Sequence, residues 1–288
     1  METDRRSLLK GLAAAATMTV VSTKAEARER RKAPPDAVGL LYDATLCVGC
    51  KACVVACKDA GNLPADVDGY GEGLYDAPEG LNESTRNVIQ LAKSGSDSSF
   101  VKKQCMHCVD PACVSACMMG ALGKREYGIV SWDNNKCIGC RYCQVACPFN
   151  VPKFQWSKTS PRIIKCELCR ERLAENKLPA CVDACPRKAV IFGKRDELLR
   201  EAHRRIDEKP DFYVPKVYGE TEVGGTQVLY LSHIPFEDLG FRFQHEESVP
   251  QTQQTVQHGI YKGFVAPIAL YGLLGAVMFR NRKSGKDE

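Results

Sequence analysis

Short apolar runs alternate with long polar stretches along the chain, and the period of the apolar positions changes from place to place. "GIVSWD", Gly128–Asp133, and "AVIF", Ala189–Phe192, are brief runs rich in β-branched and aromatic residues, which predicts strands. "RDELLREAHRRI", Arg195–Ile206, sets Leu198, Leu199, Ala202 and Ile206 on one helical face, which predicts an amphipathic helix. "GFVAPIALYGLLGAVMF", Gly263–Phe279, is apolar all round and carries no charge. As a helix its 17 residues reach about 25 Å, slightly short of a bilayer core of about 30 Å. Tyr261 and Lys262 at one end and Arg280 at the other can snorkel, so the expectation is a transmembrane helix over 259–280, kinked at Pro267. Its glycines, Gly263, Gly272 and Gly275, keep a buried core helix open as the alternative. Gly61–Ser99 is polar and reads as an insertion that touches a partner or as a solvated loop. Gln244–His258 is polar too and reads as a linker.

The residues flanking the apolar ends add direction. Arg5 and Arg6 precede Leu8, Leu9 and Lys10, then a weakly apolar run from Gly11 to Val21, then Ala25-Glu26-Ala27. Paired arginines, an apolar run and a small-x-small site in that order read as a twin-arginine export signal over 1–27, cut near Arg28. That route carries folded proteins, so a cofactor inserted in the cytoplasm can travel inside its protein. At the other end Arg280, Arg282 and Lys283 follow the apolar run, and the positive-inside rule puts the tail 281–288 in the cytoplasm. The two ends agree on a single-pass protein with its main domain on the periplasmic side of the cytoplasmic membrane.

Cysteine dominates the chemistry, with 16 among 288 residues, all in four groups. They are "CVGCKACVVAC" (Cys47, Cys50, Cys53, Cys57), "CMHCVDPACVSAC" (Cys105, Cys108, Cys113, Cys117), "CIGCRYCQVAC" (Cys137, Cys140, Cys143, Cys147) and "CELCRERLAENKLPACVDAC" (Cys166, Cys169, Cys181, Cys185). The first and third groups match each other, and so do the second and fourth, so the chain is a duplicated two-group unit. Thiolates at i, i+3 and i+6 wrap three corners of a [4Fe–4S] cube. Gly49 and Gly139 allow the tight loop, and the fourth cysteine of each run points away toward a partner cluster. Pro148 and Pro186 turn the chain after that cysteine, whereas Met118 and Met119 follow Cys117. Structural zinc has no use for a third cysteine at i+6. Eight disulfides would close strained CxxC rings, and redox CxxC pairs do not come as a regular set of this size.

These motifs resemble the membrane-anchored four-cluster ferredoxin subunits of bacterial respiratory enzymes, above all the hydrogenase-2 iron–sulfur subunits. The stretches that carry the resemblance are "LLYDATLCVGCKACVVAC", "KKQCMHCVDPACV", "YGIVSWDNNKCIGCRYCQVACPFNVPKF", "KCELC", "AVIFGKRDELL" and "GGTQVLYLSHIPFEDL". Formate dehydrogenase β subunits share much of them. The resemblance implies an α+β fold of duplicated bacterial two-cluster ferredoxin-like units with a C-terminal transmembrane helix. It implies four [4Fe–4S] clusters with nested ligands. Cluster 1 would take Cys47, Cys50, Cys53 and Cys185, and cluster 2 Cys166, Cys169, Cys181 and Cys57. Cluster 3 would take Cys105, Cys108, Cys113 and Cys147, and cluster 4 Cys137, Cys140, Cys143 and Cys117. It further implies hydrogenase small and large subunits and a quinone-reactive integral membrane subunit as partners. The expected layout is a signal at 1–27, a cluster domain at 28–215, an extension and linker at 216–258, the helix at 259–280 and a tail at 281–288.

Charge narrows the reading little. The net charge is +5; the first 27 residues hold four basic and three acidic residues, and 280–288 hold four basic and two acidic. No basic stripe remains to argue for nucleic acid. Lys51, Lys58, Lys102, Lys103, Lys136, Arg141, Lys165, Arg170 and Arg187 crowd the cysteines, where cations would offset negative clusters or simply decorate the surface. His107, between two cysteines, reads as a bond to a cluster sulfur, a pH-dependent tuner or an ordinary loop residue. The chain has no nucleophile triad, Walker loop or dinucleotide fingerprint, so it reads as a conductor without a catalytic site of its own. The expected function is electron transfer from H₂ oxidation at a periplasmic nickel–iron hydrogenase toward a quinone-reactive subunit. The rivals are the β subunit of a molybdopterin enzyme such as formate dehydrogenase, and a zinc- or disulfide-stabilised assembly scaffold.

Overall fold

The structure is a computed structural model and describes residues 29, 31–65, 78–159, 161–242, 245–253 and 265–284. The export signal at 1–27, residues 244 and 254–258 of the linker, the first residues of the expected membrane helix, 259–264, and 285–288 of the tail lie outside the described residues. In chain order the elements are β1 Val38–Asp43, α1 Ala52–Ala60, β2 Asn87–Ser94, β3 Asp97–Gln104, α2 Ala112–Ser115, β4 Leu122–Lys124, β5 Val130–Trp132 and α3 Tyr142–Ala146. Then come β6 Lys153–Phe154, β7 Ile163–Ile164, α4 Arg170–Ala174, α5 Ala180–Asp183, β8 Val190–Lys194, α6 Arg195–Glu208, β9 Val228–Leu231 and α7 Val265–Ser284.

Strand β1, "VGLLYD", is apolar on both faces because both are covered. It pairs antiparallel with β8 and parallel with β9, giving the sheet order β8-β1-β9. One face packs Leu41, Leu229 and Leu231 against Leu198, Ala202 and Ile206 of α6. Each such buried leucine contributes about 2 kcal/mol relative to exposure. Leu199, expected on that face, is only partly buried. The opposite face packs Leu40, Tyr42 and Val228 beneath an aromatic cluster of Tyr218, Tyr230 and Phe241 and against Cys181 and Leu168 of the cysteine loops.

The duplication read from the cysteines has a structural counterpart. Tyr42 of β1 pairs with Val190 of β8, and Trp132 of β5 pairs with Leu122 of β4, at equivalent distances from their cysteines. Hairpin β2-β3 matches the shorter β6-β7, with Ile89↔Lys102 answering Phe154↔Ile163. Hairpin β2-β3 also revises the reading of Gly61–Ser99. Its second half is a strand with Val88 and Ile89 buried, turning at Gly95 with φ 58°.

Arg31–Val249 forms one compact unit, and α7 belongs to a second. The stretch past 215, expected as an extension, supplies β9 to the central sheet of the first unit. In the second unit α7 runs for 20 residues, Val265–Ser284. Among the described residues no helix is long and apolar enough to cross a membrane. The reason is the end of α7, where Arg280-Asn281-Arg282-Lys283-Ser284 replaces apolar length with polar residues.

Candidate metal centres

Each cysteine loop is shaped by backbone that enters the left-handed region. In the first loop Gly49 has φ 69° and Lys51 φ 56°, and in the third Gly139 has φ 71° and Arg141 φ 64°. A Cβ on Gly49 would stand 2.4 Å from the Phe100 ring, so glycine is required there for conformation and for space. Helices α1 and α3 start directly after Lys51 and Arg141 and carry the third cysteine of each loop in their first turns. The second and fourth groups bend likewise at His107 (φ 47°) and Leu168 (φ 53°).

The structure gathers cysteines around two cavities. Cys47, Cys50, Cys53 and Cys185 line one cavity, with Cys181 at its wall. Cys117, Cys137, Cys140 and Cys143 line another. The other cysteines lie close enough to influence one another, and Cys105, Cys147 and Cys166 share one apolar cluster. Cys166 feels Cys57, Cys105, Cys181 and Cys169. Cys108 feels Cys147, Cys105 and Cys113. The expected sets adjoin one after another: Cys181 of the second lines the cavity of the first, Cys166 of the second shares an apolar cluster with Cys105 of the third, and Cys113 of the third shares another with Cys143 of the fourth.

Burial is the largest influence on these thiols. It pushes Cys113 and Cys181 up to about 12 and Cys143 and Cys147 up to about 11. Such thiols give up protons only to a strongly bound cation, so metal loading must release protons. The donor set fits iron–sulfur clusters: soft thiolates, four to a set, around cavities walled by apolar residues. A further polar atom is available at the fourth set, where the buried Trp132 indole N–H has no partner among the described residues.

Several neighbours were legible only as charges in the sequence. Lys58 is buried and donates to Pro64 O at 3.0 Å, Ser84 O at 2.8 Å and Thr85 Oγ1 at 3.0 Å, which pins the loop after α1. Lys165 is buried too and donates to Val130 O and Cys166 O. Lys102 is 1% exposed, lines the first cavity and donates to Gln104 Oε1 at 2.6 Å. Burial works against its charge, but Cys181, Cys53, Cys57 and Cys166 outweigh that and hold it above the ordinary lysine range. His107 is fully buried, and its Nδ1 accepts the Val130 N–H at 3.1 Å. Burial first, then Lys165 and Lys124, hold its imidazole well below the ordinary histidine range. It is therefore a neutral brace between the second cysteine group and β5.

Fold and sites together define a ferredoxin-type iron–sulfur protein. A family model described as a 4Fe-4S dicluster domain matches residues 96–195. The Hydrogenase-2 operon protein HybA of Escherichia coli O157:H7 is 40% identical over 98% of this chain and 96% of its own length. The nitrate-inducible formate dehydrogenase iron–sulfur subunit of Escherichia coli K12 is 34% identical over 82% of this chain and 81% of its own. A formate dehydrogenase iron–sulfur subunit of Haemophilus influenzae is 36% identical over 84% and 78%. The chain belongs to this family of ferredoxin-type iron–sulfur subunits of respiratory oxidoreductases, the one that includes HybA. Its cofactors are four [4Fe–4S] clusters.

Proposed function

We propose that this chain is the electron-transfer subunit of a periplasmic nickel–iron hydrogenase complex, placed between the hydrogenase catalytic subunits and a quinone-reactive membrane subunit. The observation that carries the reading is the 40% identity to HybA across nearly the whole of both chains. Cys47, Cys50, Cys53 and Cys185 hold the first cluster, and Cys57, Cys166, Cys169 and Cys181 the second. Cys105, Cys108, Cys113 and Cys147 hold the third, and Cys117, Cys137, Cys140 and Cys143 the fourth. Support comes from the gathering of these same side chains in space. When bound, the clusters supply one-electron chemistry. The chain's own part is to space the sites in a row, exclude water with Tyr42, Leu122 and Trp132, and place cations near the thiolates.

The reading extends to location. The Arg5-Arg6 signal supports export in the folded state, and the uncharged run Gly263–Phe279 supports attachment to the membrane with the basic tail inside. An anchor this short needs help at its ends or from partner helices. Protease added to intact spheroplasts should remove the cysteine domain, and its survival would count against a periplasmic site.

The function is tested on anaerobic, detergent-solubilised membranes enriched through a tag on this protein. H₂ and formate are added to separate samples, and cluster reduction is followed by EPR. Rapid reduction by H₂ alone is the expected result. Reduction by formate alone would move the protein to the formate dehydrogenase branch, which the 34–36% identities to those subunits keep as the second reading. Absence of an iron–sulfur signal even with dithionite would overturn both.

A further inference from the structure

The first and fourth cavities lie at the two ends of the row of sites and are built from equivalent positions, so they can be compared residue by residue. After the second cysteine of the loop stands Lys51 in one and Arg141 in the other. Three residues before Cys105 stands Lys102, and three before Cys166 stands Ile163. Both line their cavities, and both pair in register with an apolar residue of the neighbouring strand, Ile89 or Phe154. Two residues beyond the crossing cysteine stands Arg187 at the first cavity and Met119 at the fourth. Two of the three positions therefore exchange a cation for an apolar side chain.

The third position does not restore the balance. The Arg141 guanidinium lies over the Phe154 and Trp156 rings, 5.3 and 4.5 Å from their centroids. The other buried lysine of that half, Lys165, is held by Val130 O and Cys166 O and acts on Cys113 of the third set. It does not line the fourth cavity.

Resting on the cluster assignment above, we propose that Lys102, assisted by Arg187, holds the reduction potential of the first site above that of its structural equivalent, the fourth site. Adding an electron makes a site more negative, so a fixed cation favours the reduced form. The effect is large where the cation is buried and weakly screened, as Lys102 is, and smaller at exposed Arg187. The row of sites is thus electrically polar, and its first end is the electron-attracting one. Lys102 is a positioning residue in this role: it touches no substrate and acts through the field it places on Cys53 of the first site, a field that also reaches Cys181 of the neighbouring second site.

The test is an EPR-monitored potentiometric titration of the purified complex, with iron content measured on each sample. In Lys102→Met the first-site signal should need a potential lower by at least a tenfold change in its reduced-to-oxidised ratio, about 59 mV for one electron. The fourth-site signal should not move. Met119→Arg, an exposed change that leaves the core intact, should raise the fourth-site potential by a smaller amount that shrinks at high salt. Potentials unchanged in either variant with a full iron complement would overturn the proposal and leave the cluster assignment standing. Lack of iron–sulfur signals in the parent protein would instead overturn the assignment beneath it.

Discussion

At the scale of single residues, the most consequential polar group outside the cysteine sites is Asp43, at the end of β1. It is 1% exposed and accepts from Arg205 at 3.0 Å, Tyr213 OH at 2.9 Å, and both Thr45 N at 3.1 Å and Thr45 Oγ1 at 2.5 Å. Removing Arg205 leaves a buried carboxylate short of its cation, a loss of about 3 kcal/mol. Arg205→Ala should therefore lower the apparent melting temperature by roughly 6–12 °C for a domain of this size. Arg204→Ala, one residue away on the exposed side, breaks ion pairs with Glu201 and Glu208 that solvent screens, and should leave the melting temperature nearly unchanged. Equal shifts in the two variants would show that the Asp43 pair is not the stabilising one. The sequence does not show this, because Arg205 and Tyr213 lie 162 and 170 residues away from Asp43 in the chain. The cysteines were legible for the opposite reason: thiolate ligands need fixed local spacing, and that spacing survives in the order of letters. Lys102 and Lys165 were read only as two of many basic residues, since burial is set by strands that close over them.

At the scale of elements, α6 was legible almost to the residue, because its core face repeats every four positions and acidic Asp196 and Glu197 open it. Strand β8 was visible as "AVIF". Strands β2 and β9 were not, since "NVIQLAKS" sits in a polar setting and β9 depends on pairing with a strand far back in the sequence. That pairing has a sharp requirement at Gly39. A Cβ there would come within 1.9 Å of Gln227 O, whereas one on its partner Gly193 would meet only Leu198 and Glu197 side-chain atoms at 3.5 Å or more. Gly39→Ala should separate β1 from β9 and sharply reduce the yield of iron-loaded protein, while Gly193→Ala should be tolerated. Comparable iron content in both would mean that the β1-β9 contact is dispensable.

At the scale of the whole molecule, conduction depends on an unbroken row of sites. On the proposed assignment Cys147 belongs to the third set although its own loop builds the fourth, and it packs with Cys105. Cys147→Ser should therefore interrupt the row near its middle, cutting H₂-to-quinone flux to a small fraction while H₂ oxidation with an artificial dye is largely kept. Equal loss of both activities would argue for a role beyond conduction. The wider architecture was half visible in advance. The repeat of cysteine groups announced a duplicated unit, but the row of sites required the packing of Cys166 and Cys105 into one apolar cluster, which no spacing encodes.

The shared cavity of Cys47 and Cys185 bears on how the protein is made. The two residues are 138 positions apart (185 − 47), and the central sheet is not complete until β9 at 228–231 has joined β1. Until the ribosome has nearly reached the middle of the message, none of the four proposed sets has all its donors. The earliest to be completed is the fourth, when Cys143 emerges after Cys117, Cys137 and Cys140. On the proposed assignment the donor sets are thus completed in the order of the row, from the fourth through the third and second to the first, which is closed last. A nascent chain stalled before Cys181 would hold its N-terminal thiols open to oxidation and chelation, so translation and cluster delivery must keep pace with each other.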